Sequence, residues 1–296
     1  MQSSDLPNQP KTALIIEGGG MRGVFAAGVL DAFIDKRHKP FSGYYGVSAG
    51  ALNLISFLSG QRGRNLDIYT GTCLEPNFIS LARHIRGGNL FDLDWFFERI
   101  SKQFTIDSRR FYQTLEGSPM TVVTTCTRTG YPVYHEIAPD TDKDDLFKIL
   151  KASSALPMIY RSPIHIDERT LMDGSLSDPL PVIKAIEDGF NDLVIIRTRE
   201  SNYRKTISSG NRLLAWQFRK QPALSSLIRQ QYAIYNETLD QLDDFREQGI
   251  SITEICPETP LNSTRSTRNR NRLVADYHRG YAIGYNLSGQ DNSLTE

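Results

Sequence analysis

Two glycine-rich segments near the start of the chain carry the residues best suited to chemistry. Gly18-Gly19-Gly20-Met21-Arg22-Gly23 comes first, and Gly46-Val47-Ser48-Ala49-Gly50 follows. A serine with glycines two residues before and after it is the pattern of a nucleophile held on a sharp strand-to-helix turn. Consecutive glycines leave backbone N–H groups open to close approach, and such groups can stabilise an oxyanion. The two segments together specify a hydroxyl nucleophile, Ser48, and the electrostatic partner that acyl transfer requires. By chance, G-x-S-x-G turns up in roughly one chain in ten of this length, so that motif alone means little. Four glycines and a basic residue in the G-G-G-x-[RK]-G order are far rarer, on the order of one chain in a thousand or less.

The flanking residues must position these groups. Ala13-Leu14-Ile15-Ile16 predicts a buried strand that runs straight into the first glycines. Val24, Ala27, Leu30, Phe33 and Ile34 predict a helix over 24–36. The glycine loop then lies at a helix N-terminus, where free N–H groups and the helix dipole favour an anion. A second strand is expected over 41–46 and a buried helix over 49–58, which puts Ser48 at the turn between them. Gly46 and Gly50 flank it because such an elbow packs too tightly for side chains.

A hydroxyl needs a base, and histidine is the default. The chain has five: His38, His84, His135, His165 and His278. His38 and His84 fall among lysines and arginines and read as solvated. His135 and His165 sit in alternating, strand-like runs. His278 alone follows Asp173, as the Ser-Asp-His chain order would demand, but nothing around it forms a motif. Asp173 is the other candidate. Leu171-Met172-Asp173-Gly174-Ser175 follows an alternating run at 164–167 and reads as a hairpin strand ending in a tight turn. Asp-Gly is also a common turn pair in its own right.

These segments, in this order and spacing, resemble the patatin-like phospholipase family, and its uncharacterised bacterial branch most of all. Ala152-Ser153-Ser154-Ala155-Leu156-Pro157 is similar to that family's A-S-x-x-x-P block, and Asp178-Pro179-Leu180-Pro181 to its N-x-P block. The likeness covers roughly 12–200. It implies a Ser-Asp dyad of Ser48 and Asp173, with Gly46, Val47, Ala49 and Gly50 forming the nucleophile elbow. It also implies an oxyanion hole over Gly18, Gly19, Gly20, Met21, Arg22 and Gly23. The family usually reads D-G-G or D-G-A, whereas this chain has Asp173-Gly174-Ser175, a change to another small residue. The implied activity is hydrolysis of a lipid or other ester without cofactor or metal. The alternative is a catalytically impaired relative with a regulatory or interaction role. Arg22 beside the hole can orient the loop, meet an anionic head group, or simply be salt-bridged.

A nucleotide site is the competing reading of the first segment, since Gly18, Gly20 and Gly23 match G-x-G-x-x-G. That fingerprint needs an acidic residue about 20 positions on, at the end of the next strand. The run 41–46 has none, and no Walker A lysine follows.

Across the whole chain, 34 basic residues balance 34 acidic ones, so no global field draws in nucleic acid. Three scattered cysteines fit a reducing compartment and no metal motif. The polar, proline-containing start lacks an apolar signal core, and no run approaches a membrane span. The expectation is a cytoplasmic protein with, at most, transient contact with a membrane surface. Strands at 120–126, 131–137 and 192–198 interleave with helices at 144–153 and 223–248. This alternation predicts a three-layer α/β/α sandwich with a mainly parallel central sheet. The expected organisation is a flexible start over 1–11, a catalytic domain over 12–200, and a helical extension over 201–296. The aromatic stretch 90–97 can pack in the core or line an acyl pocket. Arg265, Arg268, Arg270 and Arg272 lie in a polar stretch that can be a solvated loop or meet an anionic surface.

Overall fold

Strand β1 (Thr12–Ile16) is apolar on both sides and buried along its whole length, which places it at the centre of a sheet covered on both faces. The computed structural model describes residues 11–157, 159–207 and 209–290. The expected flexible start lies outside the described residues except for Lys11. The other strands are β2 (Phe41–Val47), β3 (Met120–Cys126), β4 (Pro132–Ile137), β5 (Ile164–Ile166), β6 (Arg169–Asp173), β7 (Asp192–Ile196) and β8 (Ser251–Ile255). The helices are α1 (Val24–Asp35), α2 (Ala49–Leu58), α3 (Arg64–Thr70), α4 (Leu81–Ile85), α5 (Leu93–Gln103) and α6 (Ser108–Leu115). They continue with α7 (Lys143–Ser153), α8 (Val182–Glu187), α9 (Ser209–Gln217), α10 (Pro222–Glu247) and α11 (Arg270–Gln290).

The sheet has eight strands in the order β5-β6-β3-β2-β1-β7-β8, with β4 also on β3. The run from β3 through β2, β1 and β7 to β8 is parallel. The hairpins at the other end are antiparallel. Leu14 and Ile16 point to one face, where α1, α2, α7 and α11 pack. Ala13 and Ile15 point to the other, against α8 and α10. The expected three-layer α/β/α sandwich with a mainly parallel sheet is what the chain forms. No helix of the described residues is long and apolar enough to cross a membrane.

The C-terminal third is not only helical. Ser251–Ile255 joins the sheet as edge strand β8, paired with β7. Its short alternating pattern is half exposed, so it lacks the continuous apolar run that marks the central strands. Helix α11 packs closely on α1: a Cβ at Gly28 would strike the Tyr277 carbonyl, and one at Gly280 would strike that of Phe25. Tyr277 also donates its hydroxyl to Asp31 Oδ2 at 2.7 Å. The helix that follows the glycine loop is therefore braced by the end of the chain.

Candidate active site

Ser48 sits between β2 and α2 with φ 54° and ψ −123°, a conformation that L residues rarely adopt. Holding a non-glycine residue there costs of order 1–3 kcal/mol, so neighbours must impose it. The Ser48 N–H donates to Ser153 Oγ at 2.9 Å, and Ser153 Oγ donates to the Val123 carbonyl at 2.7 Å. Ser153 ends α7 and is fully buried. The flanking glycines are required by packing, since the positive φ falls on the serine itself. A Cβ at Gly46 would stand 2.6 Å from Ala51 Cα, and one at Gly50 would strike the Ile16 carbonyl.

Asp173 ends β6, opposite Thr124, and is 0% exposed. Its Oδ1 accepts the Ser175 N–H at 2.8 Å. Its Oδ2 is buried and has no hydrogen-bond partner. Burial pushes the carboxyl above the usual carboxylate range; Ser175, the Ser48 hydroxyl and then Arg265 pull it part of the way back. Ser48 is thus near enough to act on the carboxylate, although the contact falls short of hydrogen-bond geometry. The departure at Ser175 leaves the turn intact: its amide still caps Asp173, and Gly174 fills the position where a Cβ would strike the Val123 carbonyl.

The glycine loop forms a short 3-10 turn over Gly20–Gly23 leading into α1. Gly20 has φ +57°, and a Cβ there would stand 2.6 Å from the Arg265 carbonyl. Gly19 has φ 178°, which any residue can adopt. Two amides of the six-residue stretch expected to form the oxyanion hole are already engaged. The Met21 N–H already donates to Arg265 O at 3.1 Å and the Arg22 N–H to Gly19 O at 3.3 Å. The amides of Gly19 and Gly20 have no such partner among the described residues. Glu17 and Thr198, which the motifs did not single out, anchor the loop. Glu17 Oε2 accepts the Thr198 N–H at 2.5 Å and its hydroxyl at 3.0 Å. The visible signal was a carboxylate placed directly between an apolar strand and the glycines.

None of the five histidines lines a cavity beside Ser48. His135 lies on β4, 2.8 Å from Thr124 Oγ1, and burial pulls it down to about 4. His278 is on α11 with its ring against Tyr277. His38 packs on Phe33 and Phe41, and His165 lies beside Thr170.

Two cavities meet at Ser48. One is narrow, about 90 Å³, and lined by Leu52, Phe78, Phe91, Phe96, Ile100 and Phe147. Phe91 and Phe96 come from the aromatic stretch, which both packs in the core and lines this space. The other is roomier, about 360 Å³, and lined by Glu17, Arg22, Arg199, Tyr203, Lys205 and Arg265 among others. Arg22 makes no ion pair among the described residues, and its Nε is buried without a partner. Arg265 belongs to the arginine-rich stretch, yet it borders both cavities.

A family model described as patatin-like phospholipase matches residues 14–186. A second, described as a domain of unknown function (DUF6363), matches residues 221–288. The uncharacterised protein YjjU of Escherichia coli (strain K12) is 32% identical over 294 residues, which cover 98% of this chain and 81% of YjjU. The crystal structure of VipD from Legionella pneumophila aligns with a TM-score of 0.47 at 12% identity, over 96% of this chain and 67% of that one.

Proposed function

Because the chain belongs to the patatin-like phospholipase family, a family of lipid hydrolases, we propose that it cleaves carboxylic esters of lipids through a Ser48–Asp173 dyad. Ser48 Oγ attacks the ester carbonyl, and its proton passes to Asp173 Oδ2. The amides of Gly19 and Gly20 receive the oxyanion. Collapse of the tetrahedral intermediate expels the alcohol, which takes the proton back and leaves an acyl-serine. Water, deprotonated by the same carboxylate, then releases the acid and restores Ser48.

The observation that carries this reading is the buried, unpartnered Asp173 Oδ2 beside a strained Ser48. An ordinary aspartate, with a pKa near 3.9, is a poor base at neutral pH. Burial raises this one toward the working range. Ser175 occupies only Oδ1, so the second oxygen has capacity for a proton. The apolar cavity supplies a place for the acyl chain.

A fluorescent organophosphonate and a p-nitrophenyl ester series test the proposal together. The folded protein should label and turn over, and Ser48→Ala should do neither. A folded wild-type protein that neither labels nor hydrolyses any ester overturns the reading in favour of a non-catalytic interaction role.

A further inference from the structure

The polar cavity beside Ser48 has an unusual charge balance. Arg22, Arg199, Lys205 and Arg265 border it, with Glu17 as the single carboxylate. Glu17 is already committed to Thr198. None of the four cations forms an ion pair with a protein carboxylate among the described residues. Arg22 is only 6% exposed and its Nε lacks a partner; Tyr235 is 3% exposed and its hydroxyl lacks one too. Burial, with Arg199 and Arg265 adding to it and Glu17 opposing, lowers Arg22 to about 10. Burial likewise takes Lys205 to about 7, assisted by Arg265 and Arg22. Four cations facing one carboxylate crowd like charge around a buried guanidinium, and an anion in the cavity would relieve that repulsion.

We infer that this cavity receives the headgroup of the ester substrate, and that the headgroup is a net-anionic phosphate and not a zwitterionic one. The inference rests on the acyl-hydrolase reading, because Ser48 and Gly20 border both cavities and fix the scissile carbonyl where they meet. The acyl chain then enters the apolar side and the headgroup the basic side. Guanidinium forks suit phosphate oxygens. A choline-type cation finds no place. Glu17 is occupied, and the aromatic faces that could cage it already carry cations. Arg199 lies 4.6 Å from the Tyr203 ring centroid, and Lys205 lies 5.9 Å from that of Tyr235. Arg199, Lys205 and Arg265 all lie beyond residue 186, outside the patatin-like match, so three of the four cations come from the C-terminal part of the chain. Lys205 is held in place there by its backbone, which exchanges hydrogen bonds with the Asn236 side chain at 2.8 and 3.0 Å.

The test compares three esters sharing one acyl chain in neutral detergent micelles: a lysophosphatidic acid, a lysophosphatidylcholine and a monoacylglycerol. The anionic ester should have a kcat/KM on the order of tenfold or more above the others, since charge-assisted hydrogen bonds carry energies of that size. Arg199→Gln and Lys205→Gln should erase most of that ratio through KM, and Lys205→Arg should keep it. Inorganic phosphate should compete with the anionic ester. Equal use of the three esters overturns the inference while leaving the hydrolase intact. Phosphate that accelerates monoacylglycerol cleavage instead of competing marks a free effector and overturns the headgroup assignment. If no ester is cleaved, the hydrolase reading fails. Calorimetry with glycerol 3-phosphate still judges the cavity: absence of binding, or binding unchanged in Lys205→Gln, overturns it.

Discussion

Val47 and Asp173 end two strands that meet head to head along one edge of β3: Val47 pairs with Val123 and Asp173 with the next residue, Thr124. β4 occupies the opposite edge throughout, so β6 continues the line of β2 from the other direction. Ser48 follows Val47 directly. The register of one strand therefore brings together a serine and an aspartate that are 125 positions apart in the chain. Ser153 ties the junction, with its hydroxyl bonded to both Ser48 and Val123.

The nucleophile can be separated from the fold. Ser48→Ala should lose ester hydrolysis and probe labelling while keeping its circular dichroism spectrum. Ser48→Gly should be equally inactive but melt no lower than Ser48→Ala, because glycine adopts φ 54° without strain. A Gly variant that melts well below the Ala variant would show that the elbow is not strained.

Ser153→Ala removes the group that satisfies the Ser48 N–H and the Val123 carbonyl. Leaving buried backbone groups unpaired costs about 1–3 kcal/mol, so the melting temperature should fall by several degrees. The loosened elbow should lower kcat more than it changes KM. Unchanged kcat in a folded Ser153→Ala protein would remove Ser153 from any positioning role.

Asp173→Asn should lose most of the rate, and His278→Gln little. The Asn variant should also reveal a pH-dependent stability. Asp173 has its folded pKa raised, so the folded state holds the proton more tightly than the unfolded chain. Its contribution is fully present below pH ~4, the unfolded value, and is lost as pH rises through the folded value. Wild type should therefore lose stability relative to Asp173→Asn on going from pH 4 to 7. Denaturant melts at both pH values check the sign, and a wild type that gains stability relative to Asp173→Asn between pH 4 and 7 would contradict it.

Gly20→Ala should be the most damaging change in the loop. It forces φ +57° on a residue with a Cβ and pushes that Cβ into the Arg265 carbonyl. Misplacing one oxyanion donor costs on the order of 10²–10³ in kcat. Arg22→Lys keeps the charge, and on a neutral soluble ester it should lower kcat much less. A larger kcat loss for Arg22→Lys would make the arginine the principal electrophile.

A chain cut after residue 200 should not fold. It would expose the β7 edge that β8 covers, the face of α1 that packs on α11, and the Met21 amide that Arg265 accepts. Limited proteolysis and circular dichroism of the truncated chain would decide, and a protected, cooperatively melting fragment would show the first 200 residues to be self-sufficient.

Local pattern alone makes a large part of this protein legible. Strand β1, helices α1 and α2, the elbow serine and the hairpin ending at Asp173 all follow from short-range signals: apolar periodicity, glycine steric freedom and turn chemistry. Edge strand β8 escaped because half of it faces solvent and its pattern is short. Nothing local distinguishes Ser153 from Ser154, since only the packing of α7 under Val123 decides which hydroxyl meets the elbow. Burial of Asp173 and its unpartnered Oδ2 likewise depend on β6 docking on β3. The same holds for Arg199 and Lys205, which no motif marks, and for Arg265, one of four arginines in a polar stretch, until the chain folds back and sets all three around Arg22. Sequence determines what a residue and its near neighbours can do; charge environment and hydrogen-bond vacancy are properties of the space around an atom, and long-range strand register creates that space.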